Sequence, residues 1–311
     1  MNRSTLRPGP TNALLAAWLA LSAAACGGGG GATAVGGGGP DPVAAPFDIV
    51  AAGDIGQCGG NPAASQAARV AGLVRPTDEL VLVLGDATYP VGAPSEFADC
   101  FQPTWGAFKD RIRPTPGNHE YLTPGAAGYH GYFGAAAGPD RRGYYSFDHR
   151  GWHFISLNSN IDAGPDSPQV AWLQADLAAT SSTACTLAFW HFPVFSSGRH
   201  GNIAHMAAVF AALQAAGVDL VLVGHDHHYE RFAPQLADGQ PDPGYGLRSF
   251  VVGTGGAAPY PIPDVRANSE FRDNSTHGLL RLTLEDGGYR WAFVPVDGGA
   301  ARDAGSARCR R

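Results

Sequence analysis

The chain has 311 residues, which is enough to bury a large hydrophobic core in one α/β domain. Hydrophobic residues make up 44% of the chain and charged residues only 15%, which is not the composition of a disordered polyelectrolyte. The formal net charge of -6 gives no electrostatic reason to expect nucleic acid or an anionic membrane surface as a partner.

Residues 1–25 have the features of an export signal. Arg3 and Arg7 carry positive charge, and the apolar run Ala13–Ala25 is too short to span a bilayer as a helix. The run ends in three alanines followed by Cys26, which fits either an ordinary cleavage site or a lipobox with an acylated Cys26. We therefore expect an exported protein that is either a lipoprotein anchored at the cell envelope through Cys26 or a secreted or periplasmic protein.

The segment 27–46 is rich in Gly, Ala and Pro and contains two long glycine runs. Such a composition predicts a flexible linker, which would act as a tether behind an acylated Cys26. We place the catalytic domain at residues 47–297 and a C-terminal tail at 298–311.

The cysteine count bears on export and on disulfide bonds. The five cysteines leave one unpaired, and acylation of Cys26 would leave four for two disulfides in an oxidising compartment. We favour Cys58 with Cys100, which would join two loops at one end of the sheet. We also favour Cys185 with Cys309, which would pin the tail. The sequence alone leaves the other pairings open.

From residue 47 onward, short apolar runs alternate with helical patterns. Strands are predicted at Phe47–Ala52, Glu79–Leu84, Arg111–Thr115, Trp152–Asn158, Thr186–Trp190 and Asp219–Val223. Helices are predicted at Ala63–Val74, Gln169–Ala179 and Ile203–Ala216. This alternation predicts an α/β architecture. The later runs Arg248–Val252, Leu279–Leu284 and Tyr289–Val294 have no helices between them, and they predict a second sheet with antiparallel pairs.

Five of the predicted strands run into side chains that can bind metals. The strand ends lead into Asp54, Asp86, Asn118-His119-Glu120, His191 and His225-Asp226-His227. Taken singly, each has an ordinary explanation, because Gly-Asp after a strand is usually a turn and a lone histidine usually packs. Ligands of open α/β sheets bind beyond the carboxyl ends of the strands, so we expect these groups to converge. Carboxylate, amide and imidazole donors together suit divalent or trivalent metals.

The motifs at these strand ends resemble the five blocks of the calcineurin-like metallophosphoesterases. They are Gly53-Asp54-Ile55-Gly56, Gly85-Asp86-Ala87-Thr88-Tyr89, Gly117-Asn118-His119-Glu120, His191 and Gly224-His225-Asp226-His227. Ile55-Gly56 stands where many members have a histidine two residues after the aspartate. Tyr89 and the run from His225 to Arg231 are similar to the purple acid phosphatase branch. The resemblance implies a four-layer α-β-β-α sandwich with two mixed sheets.

The resemblance also implies a dinuclear metal centre. The ligands of the first metal would be Asp54, Asp86, Tyr89 and His227. The ligands of the second metal would be Asp86, Asn118, His191 and His225. Asp86 would bridge the two ions. A phenolate from Tyr89 implies Fe(III) in the first site, with Zn, Mn or Fe(II) in the second.

The implied activity is hydrolysis of small phosphate esters by a metal-bound hydroxide. Asp86 would hold both metals, and Asn118 would bind a metal and the phosphate. His119 would contact the phosphate or protonate the leaving group. His200, nine residues after His191, occupies about the place of a further substrate-binding histidine. We expect an acid phosphatase-like phosphomonoesterase. The alternatives are a phosphodiesterase or nucleotide hydrolase on the same cage, and a catalytically silent binding protein at the cell surface.

Overall fold

The computed structural model describes residues 45–180 and 185–310. The predicted signal peptide, Cys26 and the linker up to residue 44 lie outside the described residues. None of the helices in the described part of the chain combines the length and the apolar character that crossing a membrane requires.

The described residues form short helices and two large sheets. The strands are β1 (Phe47–Ala52), β2 (Gly56–Gln57), β3 (Asp78–Leu84), β4 (Thr88–Tyr89), β5 (Ile112–Thr115), β6 (Tyr145–His149), β7 (Trp152–Ser156), β8 (Cys185–Phe189), β9 (Leu220–Val223), β10 (Tyr229–Phe232), β11 (Arg248–Val252), β12 (Ser269–Asp273), β13 (Gly278–Glu285), β14 (Gly288–Pro295) and β15 (Asp303–Arg308). The α-helices are α1 (Gln66–Ala71), α2 (Pro94–Glu96), α3 (Asn118–Leu122), α4 (Ala127–Phe133), α5 (Pro168–Ala179) and α6 (Ala207–Ala215). A π-helix spans Phe97–Phe101, and 3-10 turns span Pro62–Ala64, Gly106–Arg111, Pro124–Ala126, Gly134–Ala137, Pro139–Arg141 and Ala204–Met206.

Both large sheets are mixed, as predicted. One has the order β15-β14-β13-β1-β3-β5, and the other has the order β12-β10-β11-β9-β8-β7-β6. In the first sheet β1, β3 and β5 are parallel, and in the second β7, β8, β9 and β11 are parallel. The remaining neighbours pair antiparallel.

The layers follow from side chains that alternate between the two faces of each strand. In β1, Phe47, Ile49 and Ala51 pack in the core between the sheets, while Val50 and Ala52 face a second core on the outer side. That outer core includes residues of α1 and α4, and a third core lies between the other sheet and helices α5 and α6. The result is the predicted order of helices, sheet, sheet and helices.

The antiparallel pairing predicted for the later strands is confirmed for β13 and β14, but the three strands do not form a sheet of their own, so that part of the expectation is wrong. β13 and β14 add to the first sheet, where β13 lies antiparallel to β1, and β11 lies parallel to β9 in the second. β15, within the predicted tail, continues the first sheet beside β14. An apolar run predicts that a strand is buried, but it does not determine the strand's partner, which depends on long-range packing.

Two disulfides join separate parts of the fold, in the pairs favoured from the sequence. Cys58 follows β2 and bonds to Cys100 in the π-helix. Cys185 begins β8 and bonds to Cys309 directly after β15. The second bond therefore links the edge strand of one sheet to the other sheet.

Candidate metal centre

The predicted ligands come together at one edge of the two sheets. β1, β3 and β5 of the first sheet lead into Asp54, Asp86 and Asn118, and β8 and β9 of the second lead into His191 and the 225–227 segment. Backbone hydrogen bonds tie the turns together, since the amide of Asp54 donates to Gly85 and that of Gly224 to His191. Two sheets thus contribute to one site.

One group of donor atoms surrounds the Tyr89 hydroxyl. This oxygen lies 2.9 Å from Asp54 Oδ1, 3.1 Å from Asp86 Oδ2 and 3.2 Å from His227 Nε2. His227 Nε2 is also 3.3 Å from Asp54 Oδ1. Four side chains from three separate segments therefore place one donor atom each in a small volume.

A second group adjoins the first through Asp86. His191 Nε2 lies 3.3 Å from Asp86 Oδ2 and 3.1 Å from Asn118 Oδ1. Asp86, His191 and His225 each offer a ligand atom within 4.8 Å of the others. Asp86 Oδ2 thus belongs to both groups, which is the position a bridging carboxylate needs.

These spacings match those of a coordination sphere. Donors about 2.0–2.2 Å from a common ion lie roughly 2.8–3.6 Å apart, depending on the angle between the bonds. The contacts of 2.9–3.3 Å fall in that range. Asp54 and Asp86 are also buried, and every ion-pair partner of theirs among the described residues is a histidine. The donor set fits two cations.

The buried charged groups of the site shift one another's pKa values strongly. Burial by itself would raise the pKa of Asp54, but the hydrogen bond and charge of His227 outweigh it and lower that pKa. Burial would lower the pKa of His191, yet the Asp86 carboxylate raises it to about 10. Burial and the nearby charge of His191 lower the pKa of His225 to about 3.

Backbone groups orient the donors towards the site. His191 donates from Nδ1 to the carbonyl of Leu84, and His227 donates from Nδ1 to that of Ala258, each at 2.8 Å. Each ring then presents Nε2 to the site, as metal-binding histidines commonly do. The second oxygen of Asp54 accepts the amide of His225 at 2.8 Å.

Three of the predicted ligands have left-handed backbone conformations. Asp54, Asp86 and His225 have φ values of 60°, 47° and 73°. A residue other than glycine in this region is strained by about 1–3 kcal/mol and persists where the surroundings hold it. Gly117 shows how closely the loops approach, since a Cβ there would lie 2.1 Å from Asp86 Oδ1. The His225–His228 segment is a series of bends after β9.

Sequence reasoning missed the role of Glu120. Its buried carboxylate accepts three backbone N–H groups, from Asp86 and Ala87 at 2.9 Å and from Gly117 at 2.6 Å. Burial and the charge of Asp86 raise its pKa, whereas the N–H groups of Gly117 and Asp86 lower it. The available signal was its position as third residue of α3, where a carboxylate can reach back to the helix start.

His119 and His200 flank the donor cluster without belonging to it. His119 Nε2 lies 3.9 Å from Asp86 Oδ2, and its ring lies beside that of Tyr89 with centroids 4.3 Å apart. The His200 ring stacks on His225 with centroids 4.2 Å apart. Both side chains are partly exposed, at 30% and 36%. A ligand at the cluster would meet one histidine on the Tyr89 side and the other on the His225 side.

The chain belongs to the calcineurin-like phosphoesterase family, whose model matches residues 47–229. Its relatives place it in the purple acid phosphatase-like branch. Purple acid phosphatase 21 of Arabidopsis thaliana is 31% identical over 271 residues, which cover 78% of this chain and 58% of the relative. This chain therefore spans less than two thirds of the length of that protein.

Solved structures show the same fold. A purple acid phosphatase from yellow lupin (Lupinus luteus) seeds matches with a TM-score of 0.69 and 18% identity, over 85% of this chain and 54% of that one. GAP50 of Plasmodium, described as the anchor in the inner membrane complex, matches with a TM-score of 0.63 and 14% identity, over 86% of this chain and 90% of that one.

Proposed function

We propose that this protein is a dinuclear metal-dependent phosphomonoesterase. The observation that carries the proposal is the pair of donor groups that share Asp86 Oδ2. The fold alone does not decide function, because one structural neighbour is an anchor protein. Relatives that are 31% and 28% identical to this chain are named as purple acid phosphatases, and this supports hydrolysis of a phosphate ester.

The residues that would hold the two ions are those predicted from the sequence. The first ion would take Asp54, Asp86, Tyr89 and His227. The second would take Asp86, Asn118, His191 and His225. Two such ions would supply an activated water and neutralise charge on the phosphoryl oxygens. The Tyr89 phenol is a donor suited to Fe(III), with Zn, Mn or Fe(II) as the second ion.

The protein's own residues would bind and orient the ester. His119 and His200 stand on two sides of the donor cluster, where their rings in the imidazolium form can donate hydrogen bonds from Nε2 to phosphoryl oxygens. His119 would also protonate the departing alcohol, a role that positioned histidines commonly perform. Its Nδ1 donates to the carbonyl of Pro90 at 2.5 Å, so Nε2 is the nitrogen that can face the substrate.

The test combines elemental analysis with a panel of phosphoesters. We expect two metal ions per chain and higher kcat/KM on p-nitrophenyl phosphate than on bis(p-nitrophenyl) phosphate or ATP. A purple or pink colour would report tyrosinate bound to Fe(III). A preference for the diester or the nucleotide would select the alternative activity on the same site. A protein that binds no metal and hydrolyses none of these would point to a silent binding protein.

The variant that tests the metal site is Asp86→Ala. Loss of the shared carboxylate should remove at least one metal equivalent and nearly all turnover, because both donor groups use this oxygen. Asp297→Ala changes an exposed aspartate paired with Arg302 and serves as the control. Metal content and turnover of Asp86→Ala equal to those of the control would refute the assignment.

We further propose that the protein is exported and that residues 47–297 are its catalytic domain. The two disulfides support an oxidising compartment. Intact mass and fractionation of the native protein would test this. A lipid-modified N-terminus at Cys26 would select the anchored form, and an unmodified mature chain would select the secreted or periplasmic form.

A further inference from the structure

His200 lies in a loop that has no helix or strand of its own. Residues 192–203 form turns and bends between β8 and the turn at Ala204–Met206. The His200 ring stacks on His225 and meets the edge of Tyr260, with centroids 5.4 Å apart. A partly exposed ring in an irregular loop needs a further contact to hold one orientation.

Asp226 supplies that contact. Its Oδ1 accepts both the backbone N–H and the Nδ1–H of His200, each at 2.9 Å. Its Oδ2 accepts the Ser196 hydroxyl at 2.5 Å, and the side chain is fully buried. A Cβ on Gly198 would lie 2.4 Å from the carboxylate carbon of Asp226, so the loop approaches this group as closely as a chain can.

This contact leaves a single ring nitrogen for a ligand. Nδ1 of His200 is occupied by Asp226, and Nε2 has no hydrogen-bond partner among residues 45–180 and 185–310. A carboxylate on one imidazole nitrogen fixes the ring orientation for the other nitrogen, and in the imidazolium form Nε2–H can donate to a phosphoryl oxygen. Asp226 also lies between His225 and His227. The segment that would supply two metal ligands would therefore also fix the position of His200.

We infer that Asp226 is a positioning residue, which acts through His200 to hold Nε2 against the phosphate group of the substrate. The inference rests on the proposed phosphoesterase function and extends it to a residue outside the metal cage. Asp226 does not itself reach the donor cluster through any side-chain contact among the described residues, because its two oxygens are occupied by the His200 loop.

Glu230 provides a matched comparison. It is also fully buried, and it holds the same loop through the backbone N–H of Ser197 at 2.8 Å and the Ser197 hydroxyl at 2.5 Å. No hydrogen bond joins it to His200 in the described structure. Glu230→Gln therefore weakens hydrogen bonds that hold the loop and leaves the contact to the His200 imidazole in place. Asp226→Asn weakens hydrogen bonds to the loop and the contact to the imidazole.

The experiment is a double-mutant cycle with His200→Ala, measured on p-nitrophenyl phosphate and by inhibition with inorganic phosphate. We expect Asp226→Asn to raise KM and the inhibition constant of phosphate by about tenfold, the effect of one weakened charge-assisted hydrogen bond. In the His200→Ala background the same change should have less than a twofold effect, since its target is gone. Glu230→Gln, which weakens the loop alone, should change both constants by less than twofold in either background. Metal content should stay at two per chain.

Two results would overturn the inference while the proposed function stands. One is an Asp226→Asn effect that multiplies with His200→Ala in an active enzyme, and the other is loss of metal from Asp226→Asn. If that variant does not fold, nitrogen NMR of His200 in the zinc-loaded wild type decides. We expect Nδ1 to carry a proton at neutral pH, and an unprotonated Nδ1 would overturn the inference. A wild type without metals and without hydrolysis would instead overturn the proposed function and the inference with it.

Discussion

Glu120 allows the sharpest test of how the candidate site is held together. Its Oε2 accepts the N–H groups of Asp86 and Gly117, and its Oε1 accepts that of Ala87. It therefore joins the turn after β3 to the turn after β5, and each turn carries a predicted metal ligand. Replacing the carboxylate should loosen both turns at once.

The size of the effect follows from the hydrogen bonds. In Glu120→Gln the amide oxygen can replace only one carboxylate oxygen, so at least one buried N–H loses its acceptor. Each such loss costs about 1–3 kcal/mol. At about 2–4 °C per kcal/mol for a domain of this size, the melting temperature should fall by about 2–12 °C for each lost acceptor. Glu120→Ala removes all three acceptors and should cost more.

The assay is thermal unfolding together with metal content. Glu79→Gln serves as the control, because Glu79 is a partly exposed carboxylate that pairs with His149 and Arg150 at the surface. We expect the control to change stability by less than about 0.5 kcal/mol. A Glu120→Ala protein with wild-type melting temperature and full metal content would refute the reasoning.

Three further predictions concern other parts of the molecule. Replacing Cys185 and Cys309 with serine should cost about 3–5 kcal/mol in urea unfolding, because their bond closes a loop with a sequence separation of 124; an unchanged midpoint would contradict this. Burial lowers the pKa of His153, but its hydrogen bonds to Asp176 and Asp148 outweigh this and raise it, so its stabilising effect is full below pH 6.5 and is lost as the pH rises through the raised folded-state value. The stability difference between wild type and His153→Gln should therefore shrink from pH 5.5 to pH 9, and a constant difference would speak against it. His119→Ala should lower kcat on an alkyl phosphate by about 100-fold or more and less on p-nitrophenyl phosphate, whose leaving group needs less proton transfer; equal losses on both would remove the acid role.

Much of the fold could be predicted because alternation along a strand is a local property. In β1 and β3 every second residue enters the core between the sheets, and the strand ends then fix where Asp54 and Asp86 emerge. The partners of β13 and β14 could not be predicted in the same way. An apolar strand can stabilise either sheet, and the choice depends on contacts between residues more than 200 positions apart, such as Ile49 with Leu282.

The candidate site could also be predicted only in part. Its donors are visible in the sequence because metal chemistry restricts them to a few residue types at strand ends. Glu120 and Asp226 were not visible, although both are charged and lie within the quoted motifs. Their roles depend on which backbone N–H groups come near them, and that is decided by the packing of distant turns. Within a motif, a carboxylate that would bind a metal and a carboxylate that accepts hydrogen bonds from a neighbouring loop have the same chemistry. They differ only in the direction in which their side chains face.

Hydrogen bonds from neighbouring protein groups explain how predicted ligands with a strained backbone can persist. Asp54, Asp86 and His225 are each held in a left-handed conformation that is unfavourable by about 1–3 kcal/mol. The hydrogen bonds that offset this strain come from protein groups. Glu120 binds the amide of Asp86, and Asp54 itself binds the amide of His225. Hydrogen bonds between protein groups therefore help to hold the donor geometry, which is what a preorganised metal site requires.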